Sequence, residues 1–238
     1  MTSRPAAVVL LSGGLDSAVV LTLCRSEGFV AYALTIDYGQ RHRQELDAAR
    51  RVAQVLHAKK HIVLSLDLTQ WGGSALTDTH QIPTGRDPSV MGADIPITYV
   101  PGRNTVFLSL AMAWAETLGT GDVFIGAHTL DYSGYPDCQP EYFRAFERMA
   151  DLATKAGVER ISRFSIHTPL IGMAKTEIVR TGARLKVPFE LTTSCYQPSD
   201  DMAACGRCDS CILRQRAFKE AGIDDPVRYV LGSKVSCR

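Results

Sequence analysis

Ser12-Gly13-Gly14-Leu15-Asp16-Ser17 stands between two apolar runs, Ala6-Ala7-Val8-Val9-Leu10-Leu11 before it and Ala18-Val19-Val20-Leu21-Thr22-Leu23-Cys24 after it. The first run is short and rich in β-branched residues, as a buried strand is; the second continues to Gly28, which ends it as a helix. A strand, a tight glycine turn and a helix in this order make an anion site. Adjacent glycines let the backbone turn sharply and bring its N–H groups close to a ligand. The positive end of the helix dipole points at the same place, and Ser12 and Ser17 add hydroxyls. A Walker loop would carry a lysine here, and a dinucleotide turn would read Gly-x-Gly-x-x-Gly; neither pattern is present. Asp16 instead asks for a cation between its carboxylate and bound phosphates. The reading is a nucleoside triphosphate held with magnesium, the bland alternative being an ordinary serine-capped turn.

Outward from this loop, strands and helices alternate. Val30–Ile36 reads as a second strand, Arg41–His57 as a helix and Lys60–Leu66 as a third strand. In the helix, Leu46, Ala49, Val52, Ala53 and Leu56 share the inner face, while Arg43, Glu45, Asp47 and Arg51 read as a solvated face. Asp122–Ala127 and Ile161–Thr168 are the fourth and fifth strands, with a helix over Glu141–Ala156 between them. The expectation is an α/β fold: a doubly wound, mainly parallel five-stranded sheet. Ligands then bind at the carboxyl ends of the strands, where Asp37 and the Ser12–Ser17 loop both fall. Residues 70–100 break every period and are too long for an ordinary connection, so they read as a lid-like excursion or a disordered insertion.

Several residues on that edge suit chemistry. Arg103 precedes an apolar helix over Thr105–Leu118 and carries a fork suited to phosphate or carboxylate; Asn104 reads as its N-cap. His128 to Cys138 form a turn-rich loop crowded with acids, hydroxyls and aromatic rings, a composition that favours binding. Lys175 starts a helix over Ala174–Thr181, where its charge opposes the dipole, so an anionic partner is expected.

The 238 residues carry a formal net charge of +1, which points to no nucleic acid and no anionic membrane surface. No apolar run approaches the ~20 residues of a bilayer span, and the first run reads as a core strand, not a signal peptide. Seven cysteines argue against a pure disulfide framework and suit a reducing, cytoplasmic setting. Cys195, Cys205, Cys208 and Cys211 are spaced Cys-x9-Cys-x2-Cys-x2-Cys. Four thiolates at this spacing close a tetrahedral zinc shell; an iron–sulfur cluster is the alternative, although the last cysteine and proline of a ferredoxin run are missing. The chain thus divides into a nucleotide-binding domain over 1–190, with its excursion, and a zinc-binding knot over 191–238 packed on it.

With the Ser12 loop, Asp37-Tyr38-Gly39-Gln40-Arg41-His42, Pro101-Gly102-Arg103-Asn104, the Asp131–Cys138 loop and the terminal cysteines read in order, the chain resembles the 7-cyano-7-deazaguanine synthase family of pyrophosphatase-loop, ATP-dependent ligases. The resemblance implies an adenine nucleotide alpha hydrolase-like fold. It implies conversion of 7-carboxy-7-deazaguanine and ammonia to the nitrile through adenylation, amide formation and a second activation. ATP would lie on Leu11, Ser12, Gly13, Gly14, Leu15, Asp16, Ser17, Ala18, Val19, Val20, Leu21 and Asp37. Asp16, Arg103, His128, Asp131 and Lys175 would serve catalysis. Arg103, Asn104, Tyr132, Ser133, Gly134, Tyr135 and Asp137 would hold the substrate. The four cysteines would hold one structural zinc, and magnesium would accompany ATP. A homodimer is expected from the apolar helix at Thr105. Gln139 stands where the family often has arginine. Competing readings are an amide-forming relative, a tRNA thiolase and, outside enzymes, a zinc-knuckle nucleic-acid binder.

Overall fold

The computed structural model describes residues 4–41, 43–87, 91, 94–129 and 135–230. Five strands form one parallel sheet: β1 (Ala6–Leu10), β2 (Val30–Asp37), β3 (Lys60–Ser65), β4 (Asp122–Phe124) and β5 (Ser165–His167), in the order β3-β2-β1-β4-β5. β1 is central and covered on both sides, which is why its sequence is apolar throughout. Its side chains alternate. Val8 and Leu10 join a cluster with Leu34, Ile36, Val123 and Leu108. Ala7, Val9 and Leu11 face the opposite cluster, with Val19, Val20, Val52 and Phe218.

The first layer holds α3 (Arg103–Thr117) and α4 (Pro140–Ala153), together with buried residues of the excursion. The second holds α1 (Leu15–Ser26), α2 (Gln44–Val55), α6 (Lys175–Arg184) and α7 (Asp209–Ala221). The chain winds from β1 outward to β3, then returns to the other side of β1 with β4. The loops after β1 and β4 therefore diverge and leave a crevice at the carboxyl edge, the place where open α/β sheets bind ligands.

Some boundaries differ from the sequence expectation. The fifth strand is confined to Ser165–His167, and Ile161 is 70% exposed. The fourth stops at Phe124, though Ile125 still donates its N–H to the His167 carbonyl. The helix expected to reach Ala156 breaks at Thr154, whose hydroxyl accepts the Gly157 N–H and starts a separate turn, α5 (Lys155–Val158). Asn104 is not the cap of α3. Gly102 is, at φ +64°, and Asn104 lies inside the first turn, buried. The described part of the excursion packs on the body: Ala75, Leu76, Ile82 and Val100 enter the core. Thr84 pairs with Cys208, and the Arg86 fork grips Asp209, its Nε 3.1 Å from both carboxylate oxygens. The apolar surface of α3 is met largely within the chain, with Leu108, Ala111 and Ala115 fully buried and Phe107, Leu110, Met112 and Trp114 packed beside them. No helix among the described residues is long and apolar enough to cross a membrane.

Candidate active site

A cavity of about 300 Å³ opens in the crevice, and the Ser12–Ser17 loop forms one end of it. The two glycines serve different ends. Gly13 sits at φ +84°, and a Cβ there would lie 2.4 Å from the Glu45 carbonyl oxygen and 2.6 Å from the Ala49 nitrogen. Only glycine lets this loop press against α2. Gly14 has ordinary backbone angles and is the N-cap of α1; its missing side chain keeps the cradle open. The Ser12 hydroxyl accepts the Gly14 N–H at 3.2 Å and lies 3.1 Å from the Ser17 hydroxyl, which donates to the Gly14 carbonyl at 3.0 Å. The N–H groups of the first turn of α1 have no intrahelical acceptors, and they face this cradle with the helix dipole behind them.

Asp16 is held from across the sheet. Lys175 Nζ lies 2.6 and 2.5 Å from its two oxygens, and His128 Nε2 lies 3.7 Å away. Burial pushes the Asp16 pKa up, but the Lys175 charge, then His128, outweigh it and hold the carboxyl below its ordinary value. The anionic partner expected for Lys175 is thus a carboxylate of this same chain. His128 follows β4 through Gly126, whose Cα side faces the backbone of Asp16 and Ser17 at 3.4 Å from a would-be Cβ.

Arg103 and Glu45 form the opposite wall with Tyr38 and Phe107. The guanidinium lies 5.9 Å from the centre of the Phe107 ring, and the Tyr38 and Phe107 rings are 5.5 Å apart. Burial works against the Arg103 charge, but Tyr38, Tyr135, Asp137 and Cys138 around it raise its pKa, so it remains a cation. Glu45 is the correction here. The helical pattern put it on a solvated face, yet it is half-buried in the cavity wall. Burial lifts its pKa to about 7, against the pull of Arg103. One signal for it was available in the sequence: an acid in the first turn of a helix that follows a parallel strand lies on the ligand edge.

Between the walls, Asn104 organises the approach to α4. Its backbone N–H donates to Asp137 Oδ2 at 3.0 Å, and its side-chain amide donates to the Asp137 carbonyl and to Cys138 Sγ. Burial raises the Asp137 pKa and pushes the Cys138 thiol up to about 11. Tyr135 lies 3.2 Å from the Thr98 hydroxyl and lines the cavity. Asp131, Tyr132, Ser133 and Gly134 lie outside the described residues. Asp37 does not line the cavity; it accepts the Gly39 N–H and pairs with Arg43 at 3.5 Å. Ala18, Val19, Val20 and Leu21 are core residues of α1.

The four cysteines come together as a buried cluster, all Sγ atoms within 4.8 Å of one another, and could hold a metal ion. Tetrahedral thiolates ~2.3 Å from a metal are separated by roughly 3.8 Å, and Cys205 Sγ lies 3.9 Å from Cys211 Sγ. Backbone N–H groups of Gln197 and Cys205 point at Cys195 Sγ, and that of Cys208 at Cys205 Sγ, as thiolate ligands require. The cluster is tied to the Ser12–Ser17 loop. Thr193, two residues before Cys195, donates its N–H to the Gly13 carbonyl at 3.0 Å. Buried Arg214 holds Thr192 and Ser194 on either side of it and pairs with Asp225.

A fully parallel sheet with a glycine cradle at its switch point is an α/β fold of the nucleotide-binding type. Residues 6–222 match the family described as Queuosine biosynthesis protein QueC, and the chain belongs to that family. It is 57% identical to a 7-cyano-7-deazaguanine synthase of Desulfatibacillum aliphaticivorans, over 94% of this chain and 96% of that one. It is 58% identical to the 7-cyano-7-deazaguanine synthase of Stutzerimonas stutzeri, over 94% and 97%. Among solved structures, an NMN synthetase from Francisella tularensis aligns with a TM-score of 0.48 at 16% identity, covering 98% of this chain and 82% of that one.

Proposed function

We propose that the enzyme converts 7-carboxy-7-deazaguanine, ammonia and ATP to 7-cyano-7-deazaguanine. A carboxylate is a poor electrophile. Its oxygen attacks the α-phosphorus of ATP, pyrophosphate leaves, and an acyl adenylate forms. Ammonia displaces AMP to give the amide; a second ATP activates the amide oxygen, and elimination gives the nitrile. The single observation supporting this reading most strongly is one cavity that joins the Ser12–Ser17 cradle to Asp16, Lys175 and Arg103, in a chain so similar to synthases of this name.

The chain's own groups have distinct tasks. The α1 N-terminus and the two serine hydroxyls receive the pyrophosphate end. Asp16 would hold magnesium, which supplies charge neutralisation on the phosphates. Lys175 and Arg103 meet negative charge developing on phosphate and carboxyl oxygens. Asn104 and Tyr135 border the deazaguanine, with Asp137 supporting Asn104 from behind and His128 beside Asp16. The cysteine cluster, a closed donor set with no open position, would hold zinc as a structural ion. Sulfur transfer is disfavoured because Cys138 stays a thiol at neutral pH, with a pKa near 11.

The test is mass spectrometry of a reaction containing the protein, ATP, magnesium, ammonium and 7-carboxy-7-deazaguanine. A nitrile with AMP is expected. An amide that accumulates would move the chain to an amide-forming activity, and no turnover would sink the substrate assignment.

A further inference from the structure

The cavity holds a carboxylate that this scheme leaves without a task. Asp16 is committed to Lys175, Asp209 to Arg86, and Asp137 to the Asn104 N–H. Glu45 is different: among the described residues no hydrogen bond or close ion pair reaches its carboxylate. It sits in the first turn of α2, its carbonyl packed against Gly13 of the cradle. Two titratable groups of the described residues face it, the Arg103 guanidinium from α3 and the Tyr38 phenol from the end of β2. Tyr38 is pushed up to about 12 by burial, so it remains a neutral phenol. An open carboxylate beside aromatic rings suits a small cation, and the Arg103 charge on the same wall favours its release as neutral ammonia.

The proposed reaction needs such a place. Its nitrogen arrives in neutral water mostly as ammonium, which has no lone pair to attack with. Resting on the function proposed above, we propose that Glu45 is the ammonium subsite and the base that frees ammonia for attack on the acyl adenylate. One N–H bond of ammonium breaks and its proton passes to a Glu45 oxygen. The freed lone pair forms the C–N bond, the C–O bond to AMP breaks, and AMP leaves with that electron pair. The amide nitrogen gives its second excess proton to water. A base with a pKa near 7 is matched to this transfer at neutral pH.

Three assays on wild type, Glu45→Gln and Glu45→Asp separate this from a positioning role. The first is 7-carboxy-7-deazaguanine-dependent exchange of pyrophosphate into ATP, which needs no nitrogen nucleophile. The second is ammonium-dependent turnover. The third replaces ammonium with hydroxylamine, a weakly basic amine largely unprotonated at neutral pH, and follows the hydroxamate. Glu45→Gln should keep exchange and hydroxamate formation within about threefold of wild type. Its kcat/KM for ammonium should fall about 100-fold at pH 7 and recover as pH rises and free ammonia increases. Glu45→Asp should regain part of the loss. Equal loss of exchange and turnover would overturn the proposal and make Glu45 a support for Arg103 or the nucleotide. Parallel loss with ammonium and hydroxylamine would also overturn it. Absent exchange in the wild type would instead reject the adenylation reading, and this subsite with it.

Discussion

Asp16 and Glu45 face the same cavity, and their surroundings push them in opposite directions. Asp16 lies against a lysine that crosses the sheet edge to meet it, and its carboxyl is held below the ordinary value. Glu45 has only a more distant arginine to set against its burial, and its carboxyl rises to about 7. One carboxylate is fixed as an anion, the state in which it would hold a metal ion between itself and bound phosphates. The other is poised to change protonation near neutral pH. Pairs separated in this way mark a division of labour between charge and proton transfer. Each wall is also supported differently. The Asp16 wall depends on contacts far apart in the chain, including the Thr193-to-Gly13 bond beside the cysteine cluster. The Glu45 wall is built from the loop after β2 and the starts of α2 and α3.

The largest break in this contrast should come from Asp16→Asn. It removes the anion that Lys175 and His128 face, so steady-state turnover and pyrophosphate exchange should both fall by about 10³-fold. Exchange at the wild-type rate would refute the assignment of Asp16 to the phosphates.

Lys175→Met comes next. Burial is then opposed by His128 and Arg214 without the lysine, so the Asp16 pKa should rise, and turnover should fall by about 10²-fold. The sign of the stability change follows from linkage. A carboxyl whose folded pKa is depressed contributes stability that is present above its unfolded pKa, near 3.8, and is lost as pH falls through the folded value. Urea titrations should therefore show the variant weaker by about 2–4 kcal/mol at pH 7, with a smaller gap below pH 3.8.

Metal removal tests the support of the Asp16 wall. A chelator strong enough to strip the cysteine cluster should loosen Thr193 and, through it, the Gly13 carbonyl. KM for ATP should rise by about tenfold, an effect of the size one lost hydrogen bond produces, and thermal stability should fall. An unchanged KM would show the cluster and the cradle to be independent.

The smallest effect belongs to Glu45→Gln in the ligand-free protein. A carboxyl whose folded pKa is raised is destabilising once ionised: its contribution is intact below pH 4.5 and is lost as pH rises through about 7. The variant should melt about 2–5 °C above wild type at pH 8 and together with it at pH 4. A lower melting temperature at pH 8 would mean that Glu45 is stabilised by ionisation, contrary to its role as a neutral-pH base.

Helical periodicity placed Leu46, Ala49, Val52 and Ala53 of α2 correctly inside. It misplaced Glu45 because a charge facing a ligand cavity and a charge facing water leave the same mark on a helical pattern. The Asn104 cap reading failed for a related reason. A residue rich in hydrogen-bonding groups beside a helix start satisfies a local rule, but its actual partners, Asp137 and Cys138, come from the next strand-to-helix connection. The short fifth strand, by contrast, was overdrawn because β-branched and apolar residues around Ile161 mimic a strand that pairing does not extend.

The sequence by itself determined the glycine cradle between β1 and α1, the parallel alternation around it, and a four-cysteine cluster. All three are local: a turn needs its glycines in place, a strand its run of apolar residues, a metal knot its spacing. Tertiary structure alone decided that Lys175 meets Asp16 across 159 positions, that Arg86 meets Asp209 across 123, and that Glu45 turns inward. Charge pairing and desolvation depend on distances through space, and those exist only once the sheet has brought separate loops to one edge.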